Sequence, residues 1–195
     1  MPLITIGEII DLVAMTFFVG YIFSGMIPLR RESYDPLTHY QKSFDFEALK
    51  FTIMATAPAI IVHELAHKFV ALGFGLNAVF YAFYRSSFSL FLGIFAVISK
   101  LTGMGFIFIV PGYVGISGNG THLQFALAAL AGPLINCFLW IGAWLVLKSK
   151  KYKKKHYLLL LLTQRINMYL LIFNMLPIPG FDGYGFLREL IRAFF

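Results

Sequence analysis

Apolar runs long enough to cross a bilayer alternate along the chain with short polar or Pro/Gly-rich breaks, and the breaks delimit its elements. A first helix is expected over residues 3–27, closed by Pro28 and the Arg30-Arg31 pair. The polar stretch 30–45 reads as an interfacial loop. A second helix is expected over 46–72, stopped by Gly73-Phe74-Gly75, with Pro58 inside it. A third is expected over 122–147 and a fourth over 157–176. In the fourth, Thr163-Gln164-Arg165 interrupts the apolar run, and Asn167 and Asn174 fall nearly on one face. Arg165 is costly at membrane depth, so it should face the bundle or snorkel. Residues 184–195 have the pattern of a short amphipathic interfacial helix.

Residues 77–120 do not follow this rhythm. Residues 79–84 are rich in aromatics and read as a strand, and 88–98 as an apolar helix or hairpin arm. Two β-type runs, 106–110 and 113–116, are split by Pro111-Gly112, which is turn chemistry. The favoured reading is a partly re-entrant segment with a short β element. Non-helical backbone at membrane depth must be buried in protein or line a watery cavity, so this segment is expected to wall a chamber.

Composition sets the class. Hydrophobic residues make up 59% of the 195 and charged residues 13%. With a mean hydropathy of +0.78, this is an all-α polytopic membrane protein, expected to be multi-pass in the cell membrane. The length allows about four or five spans in a single membrane-embedded domain covering 1–195. Within it, 1–45 would be the N-terminal helix and loop, 46–188 the functional core, and 189–195 an interfacial end. Glu8 and Asp11 near the start, with no basic stretch before them, argue for a retained first helix rather than a cleaved signal. Cys137 is the single cysteine, which excludes an intrachain disulfide and a cysteine-based zinc knuckle. The net charge of +7 is concentrated at Lys148, Lys150, Lys151 and Lys153 to Lys155. That cluster fits a membrane-flanking loop and a lipid partner, not nucleic acid.

Chemistry enters at His63-Glu64-Leu65-Ala66-His67, an H-E-x-x-H pattern inside the second apolar helix. At i and i+4 both imidazoles stand on one face and can reach one metal, with Glu64 beside them as a general base. Two interhelical polar contacts are the bland alternative. Catalytic zinc takes three protein ligands and keeps one position for water, so a third ligand is required. Asp182 is the candidate. It follows a segment in which Pro177 and Pro179 remove backbone donors while Gly180, Gly183 and Gly185 permit close approach. His39, His122 and His156 fall in polar or interfacial segments and read as solvated.

Three motifs in order, HELAH, Ala131-Gly132-Pro133-Leu134-Ile135-Asn136 and Asn174-Met175-Leu176-Pro177-Ile178-Pro179-Gly180-Phe181-Asp182-Gly183, resemble the site-2 protease family of intramembrane zinc metalloproteases (peptidase family M50), in a compact archaeal-type form. The resemblance covers about residues 46–188. It implies a three-helix metalloprotease core with the N-terminal helix added. It further implies one Zn²⁺ per chain on His63, His67 and Asp182, activation of water by Glu64, and a transmembrane protein as substrate. Asn174 matches the family asparagine that holds substrate or the oxyanion, and Asn136 the polar position of the central motif. Tyr113 lies in a run similar to the family's β element, which would clamp an extended substrate. The sequence departs from the pattern at Gly180-Phe181, where many members have Pro-Leu, and in a long insert over about residues 84–105.

Two other classes compete. A zinc-binding membrane protein without proteolysis would not need Glu64. An ion or proton transporter would use Asp182 and Arg165, but it leaves the HExxH glutamate unexplained and the chain has no inverted repeat. The family core disfavours a single full span between residues 77 and 120 and would put the lysine loop outside, whereas the positive-inside rule puts it inside. Absolute orientation stays open at this level.

Overall fold

The computed structural model describes residues 3–24, 46–102 and 112–195. It is mostly helical, with four long apolar helices and a small antiparallel sheet. The expected ends of the first helix at Ile27 to Arg31, the loop at 30–45, His39, and the β-type run at 106–110 lie outside the described residues.

Helix α1 spans Ile6–Phe23. It starts later than its apolar run because Thr5 caps it, with the Glu8 carboxylate returning a bond to the Thr5 backbone N–H. It also stops before Ile27, because Ser24 is extended and the Lys100 ammonium takes the carbonyls of Tyr21 and Ser24. Helix α2 spans Phe46–Gly73 and runs through Pro58. It closes with paired bonds, Gly75 N–H to the Leu72 carbonyl and Leu76 N–H to the Ala71 carbonyl.

Strand β1 covers Asn77–Ala82 and not 79–84, since the chain turns at Phe83–Arg85 into a single 3-10 turn. Tyr84 and Arg85 leave the strand direction to bond Asp11 of α1. The 88–98 run is helical, as part of α3 (Ser87–Thr102), and β2 covers Gly112–Ser117. The strands pair from Asn77↔Ser117 to Ala82↔Gly112. The excursion therefore leaves the end of α2 and comes back beside its own starting point, just before α4.

Helix α4 spans His122–Ser149, capped by a reciprocal Thr121–Gln124 box. It packs against α2, α5 and α6 and forms the centre of the bundle. Helix α5 covers Tyr157–Asn174 and is continuous through Thr163 to Arg165. Arg165 is exposed, away from the bundle interior. The helix ends two residues before Leu176 because the residue before Pro177 is pushed out of the helical region. Helix α6 spans Asp182–Phe194 and is amphipathic, beginning at Asp182 and not Tyr184. Four segments, Ile6–Phe23, Leu49–Gly73, His122–Ser149 and Lys154–Asn174, are long and apolar enough to cross a membrane. Met15, Val19, Ile60, Phe80 and Ala82 form a core joining α1, α2 and β1, and Ala71, Leu76, Ala78 and Ala128 join α2 and β1 to α4.

Candidate metal centre

His63 and His67 lie one turn apart on α2, and both are buried. Their Nε2 atoms are 3.1 Å apart. Asp182 Oδ2 lies 3.1 Å from His63 Nε2 and 3.2 Å from His67 Nε2, so the three donors form a nearly equilateral triangle. Donors placed tetrahedrally around zinc at 2.0–2.1 Å are separated by about 3.3 Å, so the triangle has the size of one face of such a site. Asp182 opens α6, where the helix N-terminus favours a carboxylate. Gly183 secures the approach, because a Cβ there would come within 2.4 Å of the Met175 carbonyl oxygen where α5 breaks.

The outer nitrogens of both rings are fixed. His67 Nδ1 lies 2.7 Å from the Ala128 carbonyl oxygen, which can only accept, so Nδ1 carries the proton and Nε2 presents its lone pair to the triangle. His63 Nδ1 lies 2.9 Å from the Asn136 amide, which is fully buried. Asn136 Oδ1 has no partner when the amide nitrogen faces the ring. If His63 offers Nε2 to a metal, its Nδ1–H is a donor, and the isosteric amide turns its orphaned oxygen to meet it. The donor set thus fits a metal ion, and the Asn136 amide is oriented by the same assignment. Gly132, from the helix α4 motif, makes the space. A Cβ on Gly132 would sit 2.2 Å from His67 Nε2 and 2.7 Å from His63 Nε2, so any side chain there would push against the ring atoms that face the triangle.

A cavity of about 180 Å³ adjoins the triangle, lined by Glu64, Tyr113, Val114, Asn174 and the three donors among others. Glu64 is buried on α2 between the histidines. Asn174 Nδ2 is 3.4 Å from His63 Nε2, on the cavity side. Asn136 does not line the cavity and reaches the site only through His63. His122 bonds Glu189 at 2.7 Å and His156 is exposed, both apart from the triangle. Among the described residues, His63, His67 and Asp182 are the group placed to hold a metal.

Strand β2 turns a defined edge to this cavity. Phe80 N–H points away from β2, to the Glu8 carboxylate at 2.9 Å. Phe80 pairs with Val114, so this is a non-hydrogen-bonded pair of the ladder. By the two-residue period, Gly112, Val114 and Ile116 carry N–H and C=O groups directed away from β1, and all three line the cavity. Sequence reasoning pointed to the strand at Tyr113 but not to which of its edges meets the cavity, and it assigned no role to Gly132 or the Ala128 carbonyl. Only Gly132 left a signal, as a small residue inside a helix next to Pro133.

No protein-family model and no solved structure matches the chain. The chain is 32% identical over 182 residues to a Methanocaldococcus jannaschii protein named "Putative zinc metalloprotease MJ0611", covering 93% of this chain and 83% of that protein. With that identity carried across most of both sequences, and a zinc-sized donor triangle around an HExxH helix, the chain belongs to this zinc metalloprotease family.

Proposed function

We propose that the chain is an intramembrane zinc metalloprotease of the site-2 protease type, cutting transmembrane or membrane-associated proteins. The observation that carries this is depth. Two of the three donors sit on a predominantly apolar 25-residue segment, Leu49–Gly73, and His63 lies about 15 Å from its end at 1.5 Å per residue, near the middle of a ~30 Å hydrocarbon slab. Peptide bonds reach such a place as part of a membrane-embedded chain.

In this reading His63, His67 and Asp182 would hold one Zn²⁺, which would supply Lewis acidity and make the attacking water more acidic. Ala128 and Asn136 fix the two imidazoles in the tautomers that leave Nε2 free. Glu64 takes the proton as water oxygen bonds the peptide carbonyl carbon, then gives it to the departing amine nitrogen as the C–N bond breaks. The Asn174 amide, whose Nδ2 lies 3.4 Å from His63 Nε2, would donate to the carbonyl oxygen as negative charge develops on it. The substrate, unwound from its helix, adds as a strand to the edge at Gly112, Val114 and Ile116, which has no strand partner among the described residues, with Tyr113 packing beside it.

The test is cleavage of a single-span substrate by the purified chain in bilayer discs, with bound zinc measured in parallel. Cleavage should be lost on chelation. Glu64→Gln should reduce it by about 10²–10⁴-fold with zinc retained. Full activity in Glu64→Gln would sink the assignment. Stoichiometric zinc without cleavage by the unaltered chain would favour a non-proteolytic metal protein.

A further inference from the structure

Glu8 and Asp11 of α1 are each only 2% exposed and take no part in the donor triangle. Three residues apart on one helix, they project from the same face. Glu8 divides its oxygens. Oε2 caps its own helix at the Thr5 N–H (2.8 Å) and hydroxyl (3.0 Å). Oε1 accepts from the Lys68 ammonium and from the Phe80 backbone N–H. Lys68 is equally buried and directly follows His67 on α2. Asp11 accepts from the Tyr84 hydroxyl and from Arg85 Nε at 3.2 Å. Helix α1 therefore grips β1 at its centre, the turn beyond β1, and α2 immediately behind the histidine pair.

A buried ion pair is commonly matched in stability by apolar side chains of equal volume, so stability alone does not account for Glu8 and Lys68. Geometry does. The Phe80 N–H lies on the outer edge of β1, and a free donor there would offer an extended peptide a second docking edge on the far side of the sheet from the catalytic cavity. The Glu8 carboxylate occupies it. We propose that Glu8 and Asp11 are positioning residues for the peptide strand. They lock β1 to the motif helix, hold the cavity-side edge of β2 in place, and close the outer edge of β1 so that peptide adds on β2 alone. This rests on the proteolytic reading, with β2 as the docking edge.

The experiment uses the full chain in bilayer discs and pairs of substitutions that leave no stranded charge. Glu8→Leu with Lys68→Met removes the ion pair, the Phe80 acceptor and the bond to the Thr5 N–H. Glu8→Gln with Lys68→Met also removes the ion pair and gives up the Thr5 N–H bond, but its single amide oxygen still accepts from the Phe80 N–H, so the two pairs differ in the Phe80 acceptor. The first pair should raise KM by about tenfold, the scale of one lost charge-assisted hydrogen bond, with kcat within about twofold and zinc content unchanged. It should also speed amide hydrogen exchange across residues 77–82 and 112–117. The second pair should recover most of both effects. Wild-type KM and exchange in the first pair would overturn the proposal, as would kcat and zinc falling together, which marks a general collapse. Absence of cleavage by the unaltered chain would refute the proteolytic reading separately. The exchange comparison would then still decide whether Glu8 holds the strands.

Discussion

A hydrogen atom at Gly132 is what leaves room between the two histidine rings. Replacing it by a methyl puts carbon against the Nε2 atoms of both histidines. Gly132→Ala should therefore lower zinc affinity by at least about tenfold while the helices persist, as followed by metal analysis and circular dichroism. Gly142 on the same helix meets nothing within 4 Å, so Gly142→Ala is the matched control and should keep full zinc. Equal zinc in the two variants would show that the close approach of Gly132 to the rings is not required for the metal site. The sequence pattern made the histidines and Asp182 visible because their spacing and chemistry are rare in an apolar chain. Gly132 and the Ala128 carbonyl were not visible. What a glycine admits, and what a backbone oxygen accepts, depend on the neighbour packed opposite, which a linear pattern does not encode. Glu8 and Asp11 were in plain view, but they were read only as evidence about targeting, although intramembrane acids deserve a partner by default.

Helix α6 carries Asp182 at one end and is tied to the start of α4 further along. Glu189 is buried against His122, Arg188 and Arg192. Burial works to raise its pKa, but those three partners outweigh it and hold the carboxyl below its ordinary value of 4.5. A depressed carboxyl stabilises the folded state fully above the unfolded value, and that stabilisation is lost as pH falls through the folded one. Thermal stability in detergent should therefore drop on acidification below about pH 4.5. The drop should be smaller in Glu189→Gln, whose stability is lower at neutral pH. Identical pH profiles would exclude Glu189 as the source. At this scale the helices were largely legible, since each followed its apolar run to within a few residues. The boundaries that moved did so for tertiary reasons: Lys100 on the last carbonyls of α1, Asp11 drawing Tyr84 and Arg85 out of the strand, and Pro177 acting two residues upstream.

For the molecule as a whole, the main fact is direction. The pairing of Asn77 with Ser117 brings the excursion back to the end of α2 before α4 begins. Helix α3, at 16 residues, is about 24 Å long, short of a full crossing. In a Cys137→Ser background, Asn77→Cys and Asn119→Cys should label from the same side of a bilayer and Ser149→Cys from the other. Labelling of residues 77 and 119 from opposite sides would break the arrangement. The same measurement gives the absolute orientation on which the lysine loop and the family core disagree. The relative directions were foreseen from motif order, whereas the helix and the sheet inside the excursion were ambiguous because short apolar runs suit either geometry.

That closed base has a consequence for how such a protein can change. A segment that departs and returns at one paired position is a side pouch on the chain, so residues can be added to it or trimmed from it without inverting any helix that follows. The donor triangle lies on α2 and α6 and its supports on α4, all outside the pouch. On the proposed function, its lining strand could therefore be rewritten to suit different peptides while the hydrolytic parts keep their places, which would separate the choice of target from the chemistry performed on it.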